Sequence, residues 1–353
     1  MRLGSSPDVY DLLPKVELHC HVEGTIRPST VLALAGAHGR RLPVDDPTEL
    51  YRYTSLDSFL SIFWLVQELL VTPDDWARVA YESIVDAAPH GLRYREMFFT
   101  PARHLASGQA LRGIVEGLER GIAAAEGETG VRCMLIGDLD RSFGPEAGRS
   151  FVEEIVALRR AGLGERIIGV GLDSTELGVD MRAFAPATAL ARRNGLRVTA
   201  HAGEAVGVGA ANITIALDVL GAERIDHGIA VVEDGDLLRR MADQRIPITV
   251  CPNSNVLIAN RYPRLQDHPF AEMRAAGLLA TINTDDPAMT DLDLGREYRS
   301  VARAQDLDFE AMAACSLDGI EASWLDDSDR RAMRSDFEAA IDALRPGVSG
   351  APA

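Results

Sequence analysis

The sequence is poor in cysteine and has no closely spaced cysteine pair. Its 353 residues contain four cysteines, Cys20, Cys133, Cys251 and Cys315, and no C-x-x-C pair. This excludes the usual zinc-finger and thioredoxin-like signatures. Such sparse cysteine use is typical of proteins in a reducing cytosol, so we expect a cytoplasmic protein.

Positive charge and long apolar runs are also scarce. The chain has 36 Lys and Arg against 53 Asp and Glu, a net charge of -17. A nucleic-acid partner is therefore not expected, because binding a phosphate backbone needs clustered basic residues. No apolar run approaches the roughly 18 residues of a membrane span, and the first residues show no apolar core of a secretory signal, so no membrane partner is expected either.

Short apolar segments of strand length recur along the chain and alternate with helical patterns. Their Val, Ile and Leu content suits buried parallel strands, and the eight segments read VELHCHV, YREMFFTP, VRCMLIGDL, RIIGVGLDS, LRVTAHAGE, RIDHGIAV, IPITVCPNS and LLATINTDDP. Eight alternations of strand and helix predict a TIM (β/α)8 barrel. A doubly wound open sheet is the alternative, weakened because no Gly-rich phosphate fingerprint follows the first strand.

We expect one domain over residues 1–345 and a disordered tail over 346–353, where Pro, Gly, Ser and Ala dominate. About 70 residues separate the first two strands and include two helical segments, SLDSFLSIFWLVQELL and TPDDWARVAYESIVDAA. In a barrel this insertion lies over the top face. It predicts either a lid or pocket wall, or an added packing layer. Further helices are expected at the C-terminus.

Polar side chains gather at the carboxyl ends of the predicted strands, where barrel active sites lie. His19 and His21 are two residues apart, so a strand places both on one face. The intervening Cys20 is interpreted as a packing residue. With His201 and Asp285, the two histidines provide three imidazoles and one carboxylate, a donor set for a catalytic metal such as zinc or iron.

Two further residues at these strand ends, Glu204 and His227, are not needed as metal ligands and are available for acid–base chemistry.

Five motifs, in order, carry a family resemblance: PKVELHCHVEGT at 14–25, HAGE at 201–204, RIDHGI at 224–229, CPNSN at 251–255 and TINTDDPA at 281–288. The chain resembles the adenosine/adenine deaminase branch of the amidohydrolase superfamily. The motifs span nearly the whole predicted barrel, and together they are specific.

The resemblance implies roles for individual residues. His19, His21, His201 and Asp285 would bind one Zn²⁺, and Glu204 would protonate N1 of the purine. His227 would orient the zinc-bound water and help to take its proton, and Asp285 would accept a hydrogen bond from the attacking hydroxide. Asp286 would contact N7; since N7 and a carboxylate both accept hydrogen bonds, we predict a protonated Asp286.

The substrate side departs from the usual adenosine deaminase pattern. Glu23 stands where those enzymes usually carry Asp, and the loop after the fourth strand reads GLDSTELG with Asp173 and Glu176. These features resemble adenine deaminases, whereas other stretches resemble adenosine deaminases. Glu23, Asp173 and Glu176 are therefore predicted to bind substrate, although Glu23 has the alternative of bracing its loop.

The predicted function is zinc-dependent deamination at C6 of a small aminopurine, adenosine or adenine. The alternatives are a larger adenosine-like nucleoside, another mononuclear-zinc amidohydrolase reaction, or a non-catalytic nucleoside-binding relative. The pairing of Glu204 with Asp286 suits a purine ring, and the complete ligand set argues against a non-catalytic protein. A homo-oligomer remains open.

Overall fold

A computed structural model describes residues 8–53 and 56–348. Its eight strands form one parallel sheet in sequential order: β1 (Lys15–Glu17), β2 (Leu92–Phe99), β3 (Arg132–Asp140), β4 (Ile167–Asp173), β5 (Arg197–Ala202), β6 (Arg224–His227), β7 (Pro247–Val250) and β8 (Leu279–Ile282). A parallel bridge between Cys20 and Asp285 closes the sheet beyond β1 and β8. The barrel prediction is confirmed, and the open-sheet alternative is wrong.

Helices surround the strands. Their bounds are α1 (Val9–Leu12), α2 (Pro28–Ala37), α3 (Leu56–Gln67), α4 (Pro73–Ala87), α5 (Ala102–Ala106), α6 (Leu111–Thr129), α7 (Gly144–Arg160), α8 (Ala185–Arg193), α9 (Ala211–Ile215), α10 (Gly235–Asp243), α11 (Pro252–Leu257), α12 (Phe270–Ala275), α13 (Leu294–Ala304), α14 (Phe309–Ala322) and α15 (Asp327–Val348). Because helices cover the outside of the barrel, nearly all strand residues are buried.

The insertion after β1 contributes both a pocket wall and an added packing layer, the two alternatives that the sequence left open. Helix α4 is a packing layer against α6, and it begins with a capping box in which Thr72 accepts from the Asp75 backbone N–H. Helix α3 instead lines the cavity at the carboxyl ends of the strands, with Phe59 and Phe63 among the lining residues. One inserted helix is therefore a pocket wall and another is a layer.

The C-terminal helices α13 to α15 complete the structure, as expected. Helix α15 runs to Val348, and the predicted disordered tail over 346–353 stays a prediction. Residues 349–353 of the predicted tail lie outside the described residues, and the single-domain boundary stays a prediction. No helix within the described ranges is both long and apolar enough to cross a bilayer.

Candidate metal centre and active site

Buried histidines and carboxylates meet at the carboxyl ends of the strands. His19 follows β1, His201 lies within β5, His227 ends β6 and Asp285 follows β8. All four are at most 5% exposed. Candidate ligand atoms of these four residues lie within 4.8 Å of one another, and a second set of this kind joins His21, Asp173 and His201.

The four residues predicted as metal ligands are linked by short distances between ring nitrogens and one carboxylate oxygen. Asp285 Oδ1 lies 3.2 Å from His19 Nε2 and 3.4 Å from His21 Nε2. His21 Nε2 lies 3.3 Å from His201 Nε2. His227 approaches the other oxygen of Asp285 instead: its Nε2 lies 3.9 Å from Oδ2. The ligand assignment stays a prediction that this geometry favours.

Hydrogen bonds behind His19 show that its inward nitrogen carries a lone pair. Thr249 Oγ1 donates its only proton to Asp226 Oδ1 at 2.8 Å, so towards His19 Nδ1, 3.1 Å away, the hydroxyl must accept. The proton of a neutral His19 is therefore on Nδ1. Its bare Nε2 faces Asp285 Oδ1 and has no hydrogen-bond partner among the described residues. Two acceptors facing each other in a buried site fit a bound cation.

Beside this cluster lie the two predicted acid–base groups. His227 Nε2 is 3.6 Å from Glu204 Oε2. Burial raises the pKa of Glu204 well above its usual value, and the nearby charge of Asp285 adds to the effect. Burial also lowers the pKa of His227 to about 3, with a further contribution from His19. At neutral pH this favours a protonated Glu204 beside a neutral His227.

The backbone is strained at two of these positions. His227 and Asp285 have φ values of 59° and 63°, in the left-handed region that residues with a side chain rarely adopt. At His227 the left-handed turn ends β6, and Asp285 is itself the residue that forms the bridge with Cys20. Such strain concentrates at functional sites, where the surrounding fold enforces it.

Asp286 occupies a buried position against the backbone of the first motif. An added Cβ at Gly24 would lie only 1.8 Å from Asp286 Oδ1, so a side chain at residue 24 is incompatible with this placement. Burial raises the pKa of Asp286 well above its usual value, and the adjacent charge of Asp285 acts in the same direction. The predicted protonation of Asp286 agrees with this shift.

The three predicted substrate-binding carboxylates have different surroundings. Asp173 lines the cavity, and its Oδ1 is 3.5 Å from His201 Nε2. Glu176 also lines the cavity, but both of its oxygens accept hydrogen bonds from protein N–H groups. Glu23 is fully buried and is not among the lining residues; its Oε1 accepts from the Thr100 backbone N–H at 2.8 Å. This contact favours loop bracing for Glu23.

The cavity above the cluster has a volume of about 90 Å³. Its floor is polar and includes His21, His201 and Glu204. One side of it is largely apolar, with three α3 aromatics, Phe59, Phe63 and Trp64, together with Leu60 and Ile258, and Gln67 of α3 is polar. Sequence reasoning placed an inserted helix here but identified none of these wall residues. It also left Gly24 and Thr249 without a role, although Gly24 stands inside the first motif.

The structure is a barrel with a cluster of histidines and a carboxylate that could hold a cation, and with a flanking acid, at its C-terminal face. Metal-dependent hydrolytic enzymes share this arrangement. Residues 14–340 match the model of the adenosine deaminase family. The chain belongs to that family, which confirms the resemblance carried by its motifs.

Individual relatives are similar over almost their whole length. The adenine deaminase of Streptomyces coelicolor is 38% identical over 336 residues, covering 94% of this chain and 96% of that protein. The crystal structure of an adenine deaminase from Arthrobacter aurescens has a TM-score of 0.88 at 33% identity, covering 93% and 99% of the two chains. An amidohydrolase from Burkholderia ambifaria with bound Zn has a TM-score of 0.90 at 29% identity, covering 99% and 98%.

Proposed function

We propose that this protein converts free adenine to hypoxanthine and ammonia, using one zinc ion per chain. The observation that carries the choice of the free base is the size of the cavity above the metal cluster, about 90 Å³. Pockets for drug-sized ligands are typically roughly 300–1,000 Å³. A ribose nearly doubles the number of heavy atoms of adenine, and a cavity of this size leaves little room for it.

The reaction adds water across the C6–N1 bond of the purine and then releases the amino group. A zinc ion held by His19, His21, His201 and Asp285 would lower the pKa of water to about 7 and so supply a nucleophile at neutral pH. Glu204 supplies the proton for N1 when the water oxygen bonds to C6, and a neighbouring carboxylate takes one proton of the water. That proton passes to the exocyclic amino group, which leaves as ammonia when the C6–N bond breaks. The remaining proton of the C6 hydroxyl restores the acid form of Glu204 and leaves the oxo group of hypoxanthine. The raised pKa of Glu204 supports this role, because the acid must be protonated before the attack.

Asp286 holds the five-membered ring of the base. Its raised pKa favours the neutral acid, which donates a hydrogen bond to N7. Gly24 leaves the space that this carboxyl group needs. The identity of the nucleobase is then read at two ring nitrogens, N1 by Glu204 and N7 by Asp286.

The zinc assignment is tested by metal analysis of purified protein. We expect about one zinc per chain in the wild type and a large loss in His19→Ala, because His19 presents a bare nitrogen to the cluster. His90→Ala is the matched control: His90 belongs to a separate cluster with Asp11 and Asp293, outside the proposed site. A folded wild type with far less than one zinc per chain, or a His19→Ala protein with full zinc, contradicts the assignment.

The substrate assignment is tested by following ammonia release from adenine and from adenosine. We expect turnover of adenine with a much lower kcat/KM for adenosine. Phe63→Ala removes an aromatic ring from the α3 side of the cavity and so enlarges the cavity. It should raise the ratio of adenosine activity to adenine activity. This ratio is independent of how much of the variant is correctly folded. Preference of the wild type for adenosine overturns the free-base proposal, and turnover of neither overturns the proposed reaction.

A further inference from the structure

A chain of hydrogen bonds leads from a backbone amide to the ring of His227. The Phe270 N–H donates to His268 Nδ1 at 3.1 Å. His268 Nε2 lies 3.2 Å from Asn255 Oδ1, and Asn255 Nδ2 lies 2.9 Å from His227 Nδ1. All of these residues are at most 3% exposed. The roles above use His227 alone and give neither Asn255 nor His268 a function.

The direction of every bond in this chain follows from its first donor. A backbone N–H can only donate, so His268 Nδ1 must present a lone pair, and the proton of His268 is on Nε2. That proton is donated to an oxygen, which orients the Asn255 amide with its NH₂ group towards His227. His227 Nδ1 then accepts, and its own proton is on Nε2. Burial lowers the pKa of His268 to about 3, in agreement with a neutral ring.

The protonated nitrogen of His227 faces the reaction space. Nε2 lies 3.6 Å from Glu204 Oε2 and 3.9 Å from Asp285 Oδ2. In this tautomer Nε2 donates a hydrogen bond and has no lone pair with which to take a proton or bind a metal. The opposite tautomer would turn a lone pair towards the carboxylate of Asp285.

We propose that Asn255 and His268 are positioning residues that hold His227 in the Nε2–H tautomer. His227 then orients the attacking water by donating to its oxygen, and a neighbouring carboxylate takes the water's proton. The tautomer itself follows from the hydrogen bonds, whereas its consequence for catalysis rests on the proposed deamination.

The direct test is Asn255→Asp. A carboxylate has the shape of the amide but only accepts, so it draws a proton onto His227 Nδ1. We expect kcat to fall by roughly 10²–10⁴-fold, the upper end being the loss reported for a wrong histidine tautomer in a serine protease triad. Zinc content should not change. Two-bond ¹H–¹⁵N correlation spectra of histidine-labelled protein should show a bare His227 Nδ1 in the wild type and a protonated one in the variant.

Variants of His268 show whether this residue positions His227 through Asn255 or only stabilises the fold. His268→Gln retains an N–H donor for Asn255 and should keep most activity, while His268→Phe removes it and should lower kcat. The matched control is His104→Phe, which changes another buried histidine that lies outside the proposed site and should leave the His227 signals unchanged. A wild-type proton on Nδ1 of His227 overturns the proposal, as does an Asn255→Asp protein that keeps both its tautomer and its kcat. The spectra do not depend on the substrate. A wrong adenine assignment can therefore be told apart from a wrong tautomer of His227.

Discussion

The backbone N–H of Glu204 donates a 2.8 Å hydrogen bond to Oε1 of Glu176. The same carboxylate accepts from the N–H groups of Gly203 at 2.8 Å and Ala205 at 3.3 Å, and from Asn212 Nδ2 at 2.9 Å. A side chain from the loop after β4 thus holds the loop after β5 that carries the proposed acid. Substrate contact by Glu176 stays a prediction, but its four N–H partners indicate that it fixes the position of Glu204.

Glu176→Gln should impair catalysis by loosening the Glu204 loop. In either orientation the new NH₂ group opposes two N–H donors, which leaves buried donors unpaired. We expect kcat to fall about 10–100-fold with zinc content unchanged, because small displacements of a catalytic group have effects of this order. Glu154→Gln, exposed on α7, is the control. In a Glu204→Gln background the same change should have little further effect; a full additional loss would mean that Glu176 acts independently of Glu204.

Glu204→Gln should abolish most activity and keep the fold. The amide retains the size and hydrogen-bonding capacity of a carboxylic acid but has no proton to transfer to N1. We expect a loss of roughly 10²–10⁴-fold in kcat, with zinc content and thermal stability close to those of the wild type. Steady-state kinetics and metal analysis of the same preparation measure both. An active variant would show that another group is the acid.

Gly24→Ala should disturb the nucleobase site through Asp286. The added methyl group would lie 1.8 Å from Asp286 Oδ1, so one of the two residues must move. We expect kcat/KM for the purine to fall about 10–100-fold, since the N7 contact is misplaced. Gly36→Ala on α2 is the matched control, because its added Cβ meets no atom within 4 Å. Equal effects of the two substitutions would argue against a specific role for Gly24.

Glu297 should make stability depend on pH. Burial raises its pKa to about 8 in the folded protein, even though Asn253 donates to both carboxylate oxygens. Between the unfolded pKa of about 4.3 and about 8, the folded state binds more protons, so the free energy of unfolding falls as pH rises. Each pH unit in this window costs at most about 1.4 kcal/mol.

Glu297→Gln removes this titration. The stability of the variant relative to the wild type should therefore increase from pH 5 to pH 8, whatever the difference is at pH 5. Chemical denaturation at several pH values measures the trend. A difference that stays constant over this range would contradict a raised pKa for Glu297.

The fold and most residues of the candidate site can be predicted from the sequence, because they depend on local patterns. Strand and helix patterns alternate with periods that any short window reveals, and the carboxyl ends of parallel strands meet at one face of a barrel. That rule alone predicts that His19, His21, His201, Glu204 and Asp285 lie close together. Because the loop after β1 also leaves from that face, the same rule predicts that the insertion lies over the site.

The tertiary structure decided what the longer side chains do within that frame. Glu23 and Glu176 both follow strand ends, but one turns to the Thr100 backbone and the other to the loop of Glu204. The contact of Gly24 with Asp286 and the link from His268 to His227 join segments far apart in the chain. Sequence spacing determines which strand end a residue occupies. Rotamers, hydrogen-bond partners and cavity volume depend on neighbours that only the packed barrel supplies.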